Sequence, residues 1–293
     1  MVFIVSDSKM KMSATNHPEL WLKKFPFSQP EGNKYTRGHA LIYGGPVMTG
    51  AARLSSRAAQ RIGAGVVTLA TMTMAVPIYA ASLESVIVRA VDTLDDWKLQ
   101  LRDPKKNVVL IGPGMGLDEQ KQDFILAALA TRKPCVLDAD ALTIFAETPD
   151  SLFAALHGNC VLTPHEGEFV RLFGTKIVGE KHARVLAAAR TAGCIILLKG
   201  SSTVIADPKG QEITNTNAPP WLATAGSGDV LAGMIVGLLA GGMQAFSAAA
   251  AAVWMHGQIA TQFGPGLIAE DIIEGIPAAL KDLSVMAGKI IVS

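Results

Sequence analysis

The chain has 293 residues, of which 49% are hydrophobic and 17% charged, enough apolar content for one large α/β core or two small ones. A net charge of +1 and an aromatic share of 6% give no electrostatic or stacking basis for a nucleic-acid or membrane-surface partner. Cys135, Cys160 and Cys194 form no Cys-x-x-Cys pair and fall in apolar, strand-like runs, so they read as buried thiols of a reducing compartment, and a cytoplasmic location is expected.

Residues 1–33 are polar and irregular, with Pro18, Pro26 and Pro30, and read as an N-terminal arm ahead of a single domain over 34–293. From Lys34 the chain alternates β-rich and helical runs. Strands are predicted over 39–43, 66–70, 86–89, 108–111, 135–138, 160–163, 194–198 and 203–206, several of them nearly continuous in Val, Ile and Leu, as in strands covered on both faces. Helices are predicted over 51–62, 119–131, 166–173 and 181–192, the second with Asp118 as its N-cap. The last third is helical over about 229–239, 245–262 and 269–283. Gly241-Gly242, Gln244 and Ser247 interrupt the apolar run 230–253, so each half is shorter than the roughly 20 residues of a membrane span, and two buried helices are expected. The β-α order indicates an α/β fold with a mostly parallel sheet and right-handed crossovers, whose ligands bind beyond the carboxyl ends of the strands.

The Gly-rich turns follow strands and should gather at that edge. Gly44-Gly45-Pro46 leads to Gly50-Ala51-Ala52, and Gly112-Pro113-Gly114-Met115-Gly116 lets a ligand lie against main chain, although both also suit ordinary tight turns. In Asp138-Ala139-Asp140 the paired acids could hold Mg²⁺, or Asp140 could cap the next helix; the cap is favoured for Asp140, with Asp138 left open. Thr163-Pro164-His165-Glu166-Gly167-Glu168 places a histidine and acids at a strand end, where Glu168 could orient a metal-bound water. Lys199-Gly200-Ser201-Ser202-Thr203 suits a nucleotide phosphate or ribose, or equally a polar hairpin turn; it lacks P-loop spacing. His256, within an apolar run, reads as a buried, hydrogen-bonded helix histidine.

The most specific signal is Ala225-Gly226-Ser227-Gly228-Asp229 running into an apolar helix. Unpaired N–H groups at a helix start receive anions. A carboxylate beside them would repel phosphate, so Asp229 makes chemical sense as a base that takes a proton from a hydroxyl attacking a phosphoryl group.

In order and over about residues 34–283, these motifs resemble the ADP/ATP-dependent NAD(P)H-hydrate dehydratases, a branch of the ribokinase-like superfamily. The resemblance rests on Lys34-Tyr35-Thr36-Arg37-Gly38-His39, Gly44-Gly45 with Gly50-Ala51-Ala52, Gly112-Pro113-Gly114, Asp138-Ala139-Asp140-Ala141-Leu142, Thr163–Glu168, Leu198-Lys199-Gly200 and Gly226-Ser227-Gly228-Asp229. It implies a three-layer α/β/α sandwich that repairs hydrated NADH and NADPH, with ADP or ATP as co-substrate and Mg²⁺. It further implies Ala51, Gly114, His165 and Asp229 as substrate contacts. Lys199, Gly200, Ser201, Ser202, Thr203, Gly226, Ser227 and Gly228 would be nucleotide contacts, Asp229 the catalytic base, and Glu168 a water-mediated metal contact. Relatives of this kind form homo-oligomers, tetramers or higher, and the same is expected here. Ala225, Pro46, Thr49 and Pro219-Pro220-Trp221 depart from the family pattern without removing a catalytic group. Two rivals are a ribokinase-like kinase acting on a vitamin-precursor alcohol and a catalytically silent nucleotide-binding protein; the retained Asp229 weighs against the second.

Overall fold

The structure, a computed structural model, describes residues 14–118, 120–174 and 177–289. Among them a ten-stranded sheet holds β1 (Ala14–Thr15), β2 (His39–Tyr43), β3 (Val66–Thr71), β4 (Ile87–Ala90), β5 (Val108–Ile111), β6 (Cys135–Leu137), β7 (Cys160–Leu162), β8 (Ile195–Leu198), β9 (Thr203–Ala206) and β10 (Glu212–Asn215), in the order β1-β10-β9-β8-β7-β6-β5-β2-β3-β4. From β8 to β4 every pairing is parallel; β8–β9 and β9–β10 are antiparallel. The helices are α1 (Thr49–Ile62), α2 (Val76–Ser82), α3 (Leu94–Arg102), α4 (Gln120–Ala130), α5 (Asp140–Thr143), α6 (Pro149–Ala155), α7 (Glu166–Phe173), α8 (Lys181–Ala192), α9 (Ser227–Ala240), α10 (Ala245–Phe263) and α11 (Ala269–Met286).

Alternation along the strands makes three layers. Ala40, Ile42, Leu110 and Val136 face one core with Ala58, Ile235, Ala252 and Ile276 of α1, α9, α10 and α11. Leu41, Tyr43, Val109 and Leu137 face the other, with Trp97, Phe124, Phe169 and Ala188 of α3, α4, α7 and α8. Both faces are covered, which is why these strands read as continuous apolar runs. The α/β/α sandwich with a mostly parallel sheet is therefore as expected.

Helix α9 is the element that carries the Gly226–Asp229 turn, and its small residues let it lie close on α1. A Cβ at Gly233 would overlap the Ser55 carbonyl oxygen, and one at Gly237 would overlap the Ile62 side chain. The expected pair of buried helices over 230–253 is α9 and α10, joined at Gly241-Gly242. No helix among the described residues is long and apolar enough to cross a membrane.

Residues 1–13 of the expected arm lie outside the described residues. The remainder packs on the body: β1 pairs in parallel with β10, and Trp21, 1% exposed, meets Trp254 edge-on at 5.9 Å between ring centroids. Glu119, the expected start of α4, also lies outside the described residues; the Asp118 carboxylate accepts from the Gln120 N–H at 3.2 Å.

Candidate active site

The turns after β2, β5, β6, β7 and β8 meet at the carboxyl edge of the parallel strands, as the β-α order predicts. Gly45 lies so close to the Gly114 carbonyl that a Cβ would overlap it, and Gly114, at φ +63°, would place a Cβ 3.3 Å from that of Ala51. Ala51 and Gly114 thus form one wall built from main chain. The buried Tyr79 hydroxyl holds this wall by donating to the Gly45 carbonyl at 2.7 Å.

After β6 the reading of Asp140 as a cap needs correction. Ala139 occupies the cap position of α5, at φ +52°, and Asp140 is the first helical residue. The Asp140 carboxylate instead accepts from the Gly116 N–H at 2.8 Å and ties the β5 turn to the β6 turn. A non-glycine residue held at positive φ between two acids is local strain of the kind that functional sites retain.

Asp138 is 2% exposed, and its Oδ1 lies 2.8 Å from the Lys199 ammonium nitrogen at the end of β8. Glu168 Oε2 is 3.9 Å from the same nitrogen. Burial works against the Lys199 charge, but the carboxylates of Asp138, Glu168 and Asp229 outweigh it and hold its pKa above the ordinary lysine value. Lys199 also abuts the turn at α9, where a Cβ on Gly228 would lie 3.5 Å from its Nζ.

That turn begins with Gly226 at φ +83°. Ser227 turns inward: its N–H and its hydroxyl both donate to the Thr224 carbonyl, at 3.3 and 2.9 Å. The Ser227 N–H is thereby engaged, whereas those of Gly228 and Asp229 have no acceptor among the described residues and open the helix to an anion. Ser55 of α1 donates to the main-chain carbonyl of Asp229 at 2.9 Å, fixing where the acid stands. The Asp229 carboxylate has no hydrogen-bond partner among the described residues. Burial, then the neighbouring Asp138 carboxylate, against the opposing Lys199, push its pKa up to about 7. A carboxylate so placed is matched to proton transfer near neutrality. His256 is buried as expected, with Nε2 2.9 Å from the Ser227 carbonyl oxygen, and burial lowers its pKa to about 4, so it is neutral and donates.

His165 caps α7. Its Nδ1 accepts from the N–H groups of Gly167 and Glu168 at 2.9 and 3.3 Å, while Glu168 Oε2 accepts from the His165 N–H at 2.8 Å. The ring proton is thereby assigned to Nε2, 3.5 Å from Glu168 Oε1, on a side chain 53% exposed. What His165 can offer a ligand is that edge and the ring face. The 199–203 turn is the polar hairpin between antiparallel β8 and β9. Thr203 donates to the Gly200 carbonyl at 3.2 Å and Lys181 donates to that of Ser202, while Ser201 is exposed.

No three His, Cys, Asp or Glu side chains among the described residues converge on one point as a metal cage. Glu168 and Asp138 are engaged by His165 and Lys199. The donor set suits an ion that arrives on nucleotide phosphates and keeps its waters rather than one held by protein alone.

The layer order and the strand-edge turns define a ribokinase-like fold. A family model described as NAD(P)H-hydrate dehydratase matches residues 40–277. The chain is 36% identical over 93% of its length to the bifunctional NAD(P)H-hydrate repair enzyme Nnr of Moorella thermoacetica, and spans 56% of that relative. It is 33% identical to the ADP-dependent (S)-NAD(P)H-hydrate dehydratase of Neisseria meningitidis, covering 87% of this chain and 86% of that one. The ADP/ATP-dependent NAD(P)H-hydrate dehydratase of Bacillus subtilis, co-crystallised with ATP/Mg²⁺, superposes with a TM-score of 0.79 at 27% identity, covering 93% of this chain and 99% of that one. The chain belongs to the NAD(P)H-hydrate dehydratase family. It spans about half the length of the bifunctional relatives it matches.

Proposed function

We propose that this chain restores hydrated NADH and NADPH by nucleotide-dependent dehydration. The observation that carries the reading is Asp229: a half-buried carboxylate with no hydrogen-bond partner among the described residues, raised to about pH 7, beside the unengaged amides of Gly228 and Asp229. Hydroxide is a poor leaving group and phosphate a good one. Asp229 takes the proton of the 6-hydroxyl as that oxygen attacks the terminal phosphoryl of the nucleotide. The new O–P bond forms as the bridging P–O bond breaks, releasing AMP from ADP or ADP from ATP. The ring-nitrogen lone pair then expels phosphate from C6, and loss of the C5 proton restores the dihydronicotinamide. The Gly228 and Asp229 amides stabilise charge on the transferring phosphoryl, and Lys199 adds a fixed positive charge beside them. Glu168 is the residue that would hold Mg²⁺, through water, and the ion when bound would supply further charge neutralisation.

In this reading Ala51, Gly114 and His165 line the hydrated ring's side of the site. The 199–203 hairpin and the 226–228 turn line the nucleotide's side. Assembly into tetramers or higher and a cytoplasmic location belong to the same reading; the three free, buried cysteines suit a reducing compartment. The test is the near-ultraviolet absorbance of the dihydronicotinamide with purified protein, Mg²⁺ and hydrated NADH, adding ADP and ATP separately. A nucleotide-dependent rise is expected and names the donor. No rise with either, together with nucleotide consumption on a vitamin-precursor alcohol, would replace the dehydratase by the kinase.

A further inference from the structure

The carbonyl of Ser227 and the N–H of Gly228 belong to one peptide unit. In a trans peptide the two point in opposite directions, and the unit is rigid. Among the described residues every peptide bond is trans. Whatever holds the Ser227 oxygen therefore aims the Gly228 N–H: that oxygen opens the main-chain ladder of α9, and His256 adds a side-chain donor to it at 2.9 Å.

His256 is well suited to this. It is 5% exposed, on α10, and its ring is neutral, so it presents one N–H in a fixed direction. The register of α10 beneath the turn is also fixed. Asn217 donates to the Trp254 carbonyl at 2.9 Å, Thr261 donates to the Asn217 carbonyl at 3.2 Å, and Gly257 lies so close that a Cβ would overlap the Asn217 side chain. Ser227 cannot orient the unit itself, since its hydroxyl and its own N–H are both tied to Thr224. A hydrogen bond on the oxygen of a peptide also polarises its N–H, making it a stronger donor.

We propose that His256 is a positioning residue of the anion hole: by donating to the Ser227 carbonyl it turns and strengthens the Gly228 amide toward the nucleotide's phosphates. It touches neither substrate. The inference rests on the proposed function only in assigning that amide to a phosphoryl group.

The test compares binding of ADP and of adenosine, by calorimetry, to the wild type, His256→Met and His256→Gln, with hydrated-NADH turnover followed alongside. Gln carries an N–H at about the distance of Nε2; Met fills the space without a donor. His256→Met should weaken ADP about tenfold, leave adenosine unchanged, and lower kcat about tenfold to a hundredfold with little change in KM for hydrated NADH, up to the low end of the loss when an oxyanion-hole donor is removed outright. His256→Gln should recover most of each. Equal loss of ADP and adenosine, or wild-type ADP binding and kcat in His256→Met, would overturn the assignment. If His256→Met does not fold, His256→Asn, whose amide stops short of Ser227, replaces it and should behave as Met does, with indifference to Asn overturning the assignment. The binding arms need no turnover, so a protein that binds ADP in this pattern yet restores no NADH would fail as a dehydratase while the His256 assignment stood.

Discussion

Lys199, at the end of β8, reaches across β7 to place its ammonium 2.8 Å from the carboxylate of Asp138 at the end of β6. The two strands are not neighbours, so the pair draws the 199–203 hairpin toward the centre of the site. Lys199 also opposes the burial and the negative neighbours that raise Asp229.

Replacing Lys199 by Met should have two separable effects. Asp138, 2% exposed, is left without its cation, which should lower stability by about 3 kcal/mol in urea unfolding at neutral pH. Without the ammonium, the pKa of Asp229 rises further, so the ascending limb of the pH–rate profile should move to higher pH. Loss of stability with an unmoved limb would separate Lys199 from Asp229.

Asp229 itself gives a prediction with a definite sign. In the proposed role of base it must be ionised, so kcat/KM should rise with pH and level off above about 7, where its carboxyl titrates. A raised carboxyl pKa means the folded state binds the proton more tightly than the unfolded state. Its ionisation therefore destabilises the fold progressively from about pH 4 upward until the folded pKa is passed. Asp229→Asn should lose about 10²-fold or more in turnover and retain ADP binding. It should also be more stable than the wild type at about pH 8, with little difference at about pH 4. A loss of nucleotide binding instead would make the residue structural.

Much of this was legible in the sequence because covered parallel strands advertise themselves. Val108–Ile111 and Ile195–Leu198 are unbroken apolar runs, and their predicted bounds differ from the observed ones by a residue or less. The turns after them stand out because glycine and charged residues interrupt those runs at one edge. Elements stabilised by particular contacts were not. Strand β10, Glu-Ile-Thr-Asn, has too little apolar pattern to stand out and is held by pairing to β9 and β1. Helix α3 is not among the predicted helices, although Thr93 and Asp96 form a reciprocal capping box whose residues stand in the sequence. In the site, the sequence leaves the role of Asp138 open, because its partner Lys199 lies 61 residues away. The roles of Tyr79 and Ser55 carry no local signature at all: each binds a main-chain carbonyl that only the fold brings near.

The α1–α9 contact positions Asp229 from below, and at Gly233 the main chain of α1 comes nearest to it. A Cβ there would overlap the main-chain oxygen of Ser55, and that segment of α1 also supplies the hydroxyl bound to Asp229. Gly233→Val should therefore cost about 3 kcal/mol or more in denaturant unfolding and lower kcat in the fraction that remains folded. Gly228→Ala offers a contrast. Its new methyl meets only the flexible end of Lys199, so stability should change little while nucleotide affinity falls.

His165 combines a structural role with the proposed substrate contact, and two variants separate them. His165→Ala removes the acceptor for the Gly167 and Glu168 amides and should lower stability by about 1 kcal/mol. His165→Asn keeps an acceptor at the position of Nδ1, so the cap survives, but it deletes the Nε2 edge exposed at the site. Both variants should raise KM for hydrated NADH several-fold and leave ADP affinity within about twofold of wild type, with only the first lowering the melting temperature. Equal weakening of both ligands by His165→Asn would remove His165 from the substrate side of the site and leave it as the cap that places Glu168 beneath Lys199.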